Sequence, residues 1–445
     1  MHNPLHRRLL SGGSWTFIGR LVAVAAGFLV NALIARIVSV EEVGVYFLLV
    51  TVVTLGSLVA SLGLHVVVVR LVAESMAGQL SGLARSTVLA VLKMGTASAI
   101  VVATVVGMSG KIIAYQLFNA PMISSVAWYA SGWIVVLVIL NLLAESFRGF
   151  HDFKFATIFS NNTSTNVLMG IFLYAFLGMG FHGELRDTLI LSILSCIVSI
   201  LFAAFIMWRR LRQFEPGKPI QSKSVLNAGF PLMMSSMAIF VLTQADIWVI
   251  GIFSSTEAVA KYGAAMRLGQ LLFMPLLISN TLLPPFIAEM YSQGKISQLE
   301  KLIRIASTLS VIPAAIVLLM FIFWGDLILA MAYGENYRSA YYLLLTIGIG
   351  QFVNVWAGSG IIALINTGHQ KSVMGISLGF GSLIVLGSLV VVKQHGVTGV
   401  ALVTGTVTVM QAIFTLFLLR KKTGMWAHAG PRYFSLALRR FVGQK

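Results

Sequence analysis

Carboxylates are scarce in this chain. Asp and Glu together number 14 among 445 residues, against 31 Lys and Arg, and charged residues make up only 10% of the sequence. An ordinary soluble domain carries about 25%. Hydrophobic residues reach 58%, and the mean hydropathy is +0.91. A soluble core cannot use that much apolar surface, so the chain reads as an all-α polytopic membrane protein. The net charge of +17 would point to nucleic acid in a soluble protein. Here it marks basic loops facing anionic lipid, and no nucleic acid is expected as a partner.

Cysteine is nearly absent. Cys196 stands alone in an apolar run, which excludes an intrachain disulfide and a cysteine metal cluster. Long polar connections are missing too, so no soluble catalytic domain hides between helices. No His/Glu metal spacing or nucleophile constellation stands out, and neither a metal nor a cofactor is expected. His65, His151, His182, His369 and His395 lie at span ends or turns, where a polar structural role is the ordinary one. The N-terminus, MHNPLHRRLLSGGSWTF, lacks a small-residue cleavage site after a short apolar core. It reads as a basic end entering the first span.

What the chain has in abundance is long apolar runs. A hydrocarbon core of about 30 Å needs roughly 20 apolar residues per helix. By that measure twelve spans fit, at 14–36, 44–69, 87–109, 122–147, 157–180, 186–208, 226–253, 263–290, 304–330, 338–366, 371–392 and 396–420. With the N-terminus in the cytoplasm, 22 Lys and Arg fall on the cytoplasmic side, six on the outer side and three within spans. That bias orients the chain with both termini inside. The expected organisation is a six-helix bundle over 1–208, a basic cytoplasmic linker over 209–225, a second six-helix bundle over 226–420, and a basic tail over 421–445. The tail mixes Trp426, Tyr433, Phe434, Leu436 and Leu438 with arginines. This suits a segment lying on the inner leaflet, the alternative being a solubilising tail.

The halves echo each other. SVEEVGVY at 39–46 and STEAVAKY at 255–262 match at four of eight positions, at an offset of 216. RGFHDFK at 148–154 and TGHQK at 367–371 follow spans four and ten, and each is a Gly-His turn ending in Lys. Six spans is an even number, so both halves start on the same side and the repeat is parallel, as in transporters that hold substrate between two bundles.

Ionisable groups inside spans are costly and are therefore functional candidates. Arg20, Lys93, Asp246 and Arg267 stand out. Asp246 and Arg267 sit at similar depths, about 10 and 8 Å from the outer side. Two readings stay open: an Asp246–Arg267 pair, or a protonatable or Na⁺-binding coupling group at Asp246, assisted by Gln244. Arg20 and Lys93 both lie about 9 Å deep from the inner side. They either snorkel to the interface or line a cationic, water-filled cavity able to hold an anion. Glu145 is the nearest first-half carboxylate in depth. The segment SNNTSTN at 160–166, with Asn161, Asn162, Thr163 and Asn166, offers either sugar or headgroup contacts or helix–helix hydrogen bonds. Trp128, Tyr129 and Trp133 either stack on sugars or form the outer aromatic belt. Asn31, Asn141, Asn280, Gln351 and Asn354 are further candidates for a cleft.

GSWTFIGR, NALIARIVSVEEVGVYFLL, ASLGL and VVRLVAE, with QADIWVIGIFSSTEAVAKYGAAMRL in the second half, resemble the polysaccharide (O-antigen/exopolysaccharide) flippases. These belong to the multidrug/oligosaccharidyl-lipid/polysaccharide (MOP) exporter superfamily, which includes the multidrug-and-toxin extruders (MATE) and the lipid II flippases. The resemblance implies a V-shaped, MATE-like pair of pseudo-symmetric six-helix bundles in the bacterial inner membrane. It also implies alternating access and outward movement of a polyprenyl-diphosphate-linked oligosaccharide, with polymerases and glycosyltransferases as neighbours. Arg20 and Arg267 look like the cavity arginines of lipid II flippases by span. Those flippases usually carry two further helices, which argues against that branch. A diphosphate with about two negative charges gains about 4 to 5 kcal/mol per 100 mV on moving outward, so potential alone could drive export, with H⁺ or Na⁺ coupling as the alternative. A cation-drug extruder would favour acids in its cavity. A polymerase or ligase would need a large outer loop, and a purely structural role would leave the repeat and deep cations unexplained.

Overall fold

The structure, a computed structural model, describes residues 4–160, 162–179, 183–217 and 222–433. Among these residues it is helical with no strand. The first eight helices of seven residues or more are α1 (Pro4–Ile37), α2 (Val40–Ala60), α3 (Leu64–Ala77), α4 (Ser81–Met108), α5 (Met122–Gly149), α6 (Phe153–Phe159), α7 (Thr163–Gly178) and α8 (Leu185–Leu211). They are followed by α9 (Ser222–Phe253), α10 (Thr256–Ser292), α11 (Ile296–Tyr333), α12 (Tyr341–Ala357), α13 (Gly360–Asn366) and α14 (Gln370–Thr423).

Ten helices among the described residues are long and apolar enough to cross a membrane. One of them, α14, is two helices joined at Gly396, where the backbone leaves helical geometry (φ 55°, ψ −144°). The shorter apolar α7 takes the fifth place. Each of the twelve expected spans thus has its helix.

Three spans that hydropathy reads as continuous are broken. The second divides between α2 and α3 at Leu62 and Gly63, the fifth between α6 and α7 beside Asn162, and the tenth between α12 and α13 at Gly358. Leu62, Gly63, Asn162 and Gly358 all have positive φ, which ends a right-handed helix. Hydropathy averages over a window and does not register a single left-handed residue.

The repeat is visible in the helix caps. Ser39 and Ser255 are both extended N-cap residues, with φ/ψ of −64°/160° and −76°/159°. Ser39 Oγ accepts from Glu42 N–H, and Ser255 Oγ accepts from Ala258 N–H. Each satisfies an otherwise orphaned amide, a contribution of about 1 kcal/mol. The second echo also sets a turn before a helix. His151 (φ 58°) precedes the N-cap Asp152, and Gly368 (φ 87°) precedes the N-cap His369.

By packing, the chain divides into two units, residues 1–241 and 242–445. The division falls inside α9, beyond the linker at 209–225 where the sequence suggests it. The physical reason lies in what the linker touches. Arg210 pairs with Asp152 at 3.0 Å, and Arg85 Nη1 donates to Phe214 O at 2.7 Å. Further on, Gly229 of α9 packs against the break at Leu62 and Gly63: a side chain on Gly63 would strike the Gly229 carbonyl, and one on Gly229 would strike the Leu62 carbonyl. Linker and the start of α9 therefore belong to unit 1.

Of the tail, residues 425–433 are described, and they fold back onto unit 2. Met425 and Ala427 are fully buried in the core formed by Ile287, Leu299, Ile303, Leu364 and Leu419. Ala429 N–H donates to Trp356 O at 2.8 Å, Gly430 N–H to Thr308 Oγ1 at 3.2 Å, and His428 stacks on Trp356. Gly358, at the break in the tenth span, has no side chain, and the Ala427 carbonyl occupies that space. Phe434, Leu436 and Leu438 lie outside the described residues.

Candidate functional site

Unit 2 contains a buried polar centre built by three helices. Asp246 of α9 is 4% exposed, and Tyr262 of α10 is fully buried. The Tyr262 hydroxyl donates to Asp246 Oδ2 at 2.5 Å and lies 3.2 Å from Thr404 Oγ1 of α14. Ile247 N–H donates to Asp246 Oδ1 at 2.8 Å. A carboxylate with two donors is far better placed in an apolar span than a bare one. The arrangement ties α9, α10 and α14 together through one acidic group. A proton or small cation arriving at Asp246 would compete for the same oxygens.

The expected Asp246–Arg267 pair is not what the structure contains. Arg267 Nη1 donates to Gly263 O of its own helix at 3.0 Å, and Asp246 is satisfied by Tyr262 instead. Equal depth is necessary for a pair but does not make two helices present those residues to one another. Gln244 takes no part in this network.

In unit 1, Arg20 of α1 and Lys93 of α4 are both exposed. Neither has an ion-pair or hydrogen-bond partner among the described residues. The helix α1 packs mainly on α7 and α6, whereas α4 packs mainly on α5 and α3. The described residues thus give neither cation a partner, and the two stand on separate groups of helices.

The polar segment at 160–166 has largely local work. Thr163 Oγ1 donates to Ser160 O and Thr165 Oγ1 to Asn162 O, both at 3.0 Å, which satisfies carbonyls freed by the break in the fifth span. Asn166 Nδ2 reaches Ala23 O of α1 at 3.5 Å, a helix–helix contact. Asn162 is exposed at the break, in the left-handed conformation. Asn161 lies outside the described residues. Of the aromatic candidates, Trp133 stacks on Tyr46 inside unit 1, and Tyr129 is covered by the Arg186 guanidinium at 5.5 Å. Trp128 is 62% exposed on the flank of α5.

Three features escaped the sequence reading. Tyr262 closes STEAVAKY, the second copy of the first echo, but one tyrosine in an apolar helix carries no signal of its partner. Thr404 sits in a run of Val and Thr that looks only small and apolar. Asp326, in FIFWGDLILAM, is a further carboxylate within an apolar helix, close to the non-helical Trp324 (φ −134°) of α11. Among the described residues, no group of three or more His, Cys, Asp or Glu is arranged to hold a metal ion.

Comparison with known proteins fits this architecture. Residues 9–291 match the family described as polysaccharide biosynthesis protein, and residues 231–390 match the MatE family. Among solved structures, an inward-facing multidrug resistance MATE family transporter of the MOP superfamily aligns over 91% of this chain and 94% of its own, with 16% identity and a TM-score of 0.72. The inward closed lipid II flippase MurJ aligns over 96% and 90%, with 13% identity and a TM-score of 0.70. A MOP superfamily transporter from Pyrococcus furiosus, noted for the reverse polarity of its binding pocket, aligns over 94% and 95%, with 16% identity and a TM-score of 0.57. No curated protein sequence matches at a significant level. Its fold, its apolar helices and a match spanning well over half its length agree: the chain belongs to the polysaccharide biosynthesis protein family and is a multi-pass transporter of the MOP superfamily.

Proposed function

We propose that this transporter is a flippase that carries a polyprenyl-diphosphate-linked oligosaccharide from the inner to the outer leaflet of the bacterial cytoplasmic membrane, by alternating access, for surface polysaccharide synthesis. The observation that supports the reading is two span cations, Arg20 and Lys93, each without an ion-pair or hydrogen-bond partner among the described residues, in a chain with so few acids. A cation without a counter-ion in an apolar span is costly. A diphosphate supplies the missing charge, and the arginine fork suits its oxygens. The cytoplasmic placement of both termini rests on the 22 to 6 bias of Lys and Arg. A polymerase and glycosyltransferases would supply and consume the cargo on the two sides.

Asp246 takes the coupling role in this proposal. Uptake of a proton or Na⁺ there would weaken the Tyr262 hydrogen bond and loosen the tie among α9, α10 and α14. The same buried carboxylate, with the MatE match over 231–390, favours a second reading, a cation-coupled multidrug extruder.

Deleting the gene separates the two. For the flippase, surface polymer is lost and polyprenyl-diphosphate oligosaccharide accumulates on the cytoplasmic face. Unchanged polymer together with hypersensitivity to cationic drugs would overturn the flippase in favour of the extruder.

A further inference from the structure

Unit 2 carries a groove on α14 that involves neither Asp246 nor the span cations. It lies between the two halves of that helix, which join at Gly396. One wall is Ser372, Gly375, Gly379 and Leu383, and the other is Phe414 and Leu418. Its volume is about 470 Å³, within the roughly 300–1,000 Å³ of sites that hold small molecules. Ser372, at one end, is its only polar lining residue.

Two glycines give the groove its depth. Gly375 and Gly379 stand one turn apart inside a helix, where each costs about 1 kcal/mol relative to Ala. Neither has a positive φ. Glycine in an apolar span ordinarily lets another helix approach closely. Gly381 and Gly387 do so, since a side chain on them would strike Leu242 and Val403. At Gly375 and Gly379 an added Cβ would meet nothing within 4 Å, and both residues are exposed. Packing within unit 2 does not account for them. They leave open a space that side chains would fill.

The groove is as long as one leaflet is deep. From Ser372 to Leu383 the helix rises about 16 Å, at about 1.5 Å per residue. Half of a hydrocarbon core of about 30 Å is about 15 Å.

Its polar end is also positive. Lys371 shares a helix face with Gly375 and Gly379, and Lys422 shares one with Phe414 and Leu418, each at steps of four residues. Gly387 faces Val403, and the Phe380 and Phe414 ring centroids lie 5.6 Å apart. Continued, that antiparallel register sets Lys371 level with Lys422. Both lysines are exposed, and neither has an ion pair among the described residues. The chain contains no Asp or Glu from 370 to 423. Arg420 is taken up by the tail, where it donates to Gly424 O and covers the Trp426 ring. One helix half begins at this mouth and the other ends there, so their end charges oppose one another and the lysines set the sign.

We propose that the groove binds one anionic phospholipid, with an acyl chain along Gly375 and Gly379 and the phosphate between Lys371 and Lys422. By the bias of Lys and Arg, this is a lipid of the inner leaflet. A groove that stops at mid-bilayer fits an acyl chain of one leaflet. Two lysines with no acid on their helix select a headgroup of net negative charge over a zwitterionic one. The site shares no residue with Arg20, Lys93 or Asp246 and does not depend on what the transporter carries.

The test is native mass spectrometry of the purified, delipidated full-length protein, titrated with phosphatidylglycerol or with phosphatidylcholine of the same acyl chains. The wild type takes up one phosphatidylglycerol ahead of phosphatidylcholine. Lys371→Gln and Lys422→Gln each weaken phosphatidylglycerol about fivefold, the share of one lysine beside an anionic headgroup, and leave phosphatidylcholine unchanged. Gly375→Leu combined with Gly379→Leu fills the groove and loses the first bound lipid. The lysines are exposed, so their variants test the site independently of that repacking. Lys393→Gln, at the other end of the same helix half, binds as the wild type does. Equal binding of the two lipids by the wild type, undiminished uptake by the groove-filled variant, or an equal loss in Lys393→Gln overturns the proposal. So does tighter binding of a polyprenyl phosphate that the same variants lose, which would give the groove to the lipid of the cargo.

Discussion

Replacing Tyr262 with Phe is the sharpest probe of the buried centre in unit 2. The ring is fully buried, and Phe preserves it, so no large cavity opens and packing loss stays small. What disappears is one hydroxyl, 2.5 Å from Asp246 Oδ2. Asp246 is 4% exposed, so water does not readily take its place. Hydrogen bonds to charged groups contribute about 1.5–3 kcal/mol. At about 2–4 °C per kcal/mol for a unit of this size, the apparent Tm should fall by about 3–12 °C. Thr404 loses its contact with Tyr262, but its hydroxyl can turn to a carbonyl of its own helix, as Thr408 does toward Thr404 O at 2.7 Å. That term should therefore be small. The assay is thermal unfolding in nanodiscs at a fixed scan rate, for Tyr262→Phe, Asp246→Asn and the double variant. Removing the charge and its donor together should cost less than the sum of the single changes, because the two share one interaction. A Tyr262→Phe protein within about 1 °C of the wild type, or strictly additive effects, would refute the argument.

Other expectations follow from the same reading. Exchanging the charges, Asp246→Arg with Arg267→Asp, should fail to restore export, since Asp246 is held by Tyr262; recovery in a complementation assay would reinstate the pair. Arg20→Ala and Lys93→Ala should each reduce export of lipid-linked sugar by about 10- to 100-fold, the loss of one charge-assisted contact of 1.5–3 kcal/mol, at normal abundance in the membrane; normal export by both would remove the cationic site. Truncation after Thr423 should lower the apparent Tm sharply by uncovering Trp356 and the break at Gly358; an unchanged Tm would show that the docked segment contributes little.

Much of the architecture is legible from residue types alone. Hydropathy summed over about 20 residues reports whether a segment can live in hydrocarbon, and that sum does not depend on neighbours. The twelve spans were therefore readable, and so was the repeat, because Ser39 and Ser255 act on amides three residues away. Capping is a local property of the chain. The cost of Asp246 was readable for the same reason: an acid in an apolar run is anomalous wherever it ends up.

Its partner was not readable. Tyr262 is 16 residues away and Thr404 a further 142 from that tyrosine, and their meeting depends on the rotation and depth of three helices to within an ångström. Depth alone suggested Arg267, and helix rotation chose otherwise. The breaks at Leu62, Asn162 and Gly358 each depend on a single backbone angle, which no window average registers. The segment 425–433 looks polar and basic in isolation. Tertiary structure folds it inward because unit 2 presents Trp356 and Thr308 as partners and lets the Ala427 carbonyl pack beside Gly358. Sequence determined which segments enter the membrane and which side chains are anomalous there; packing decided which of those anomalies meet.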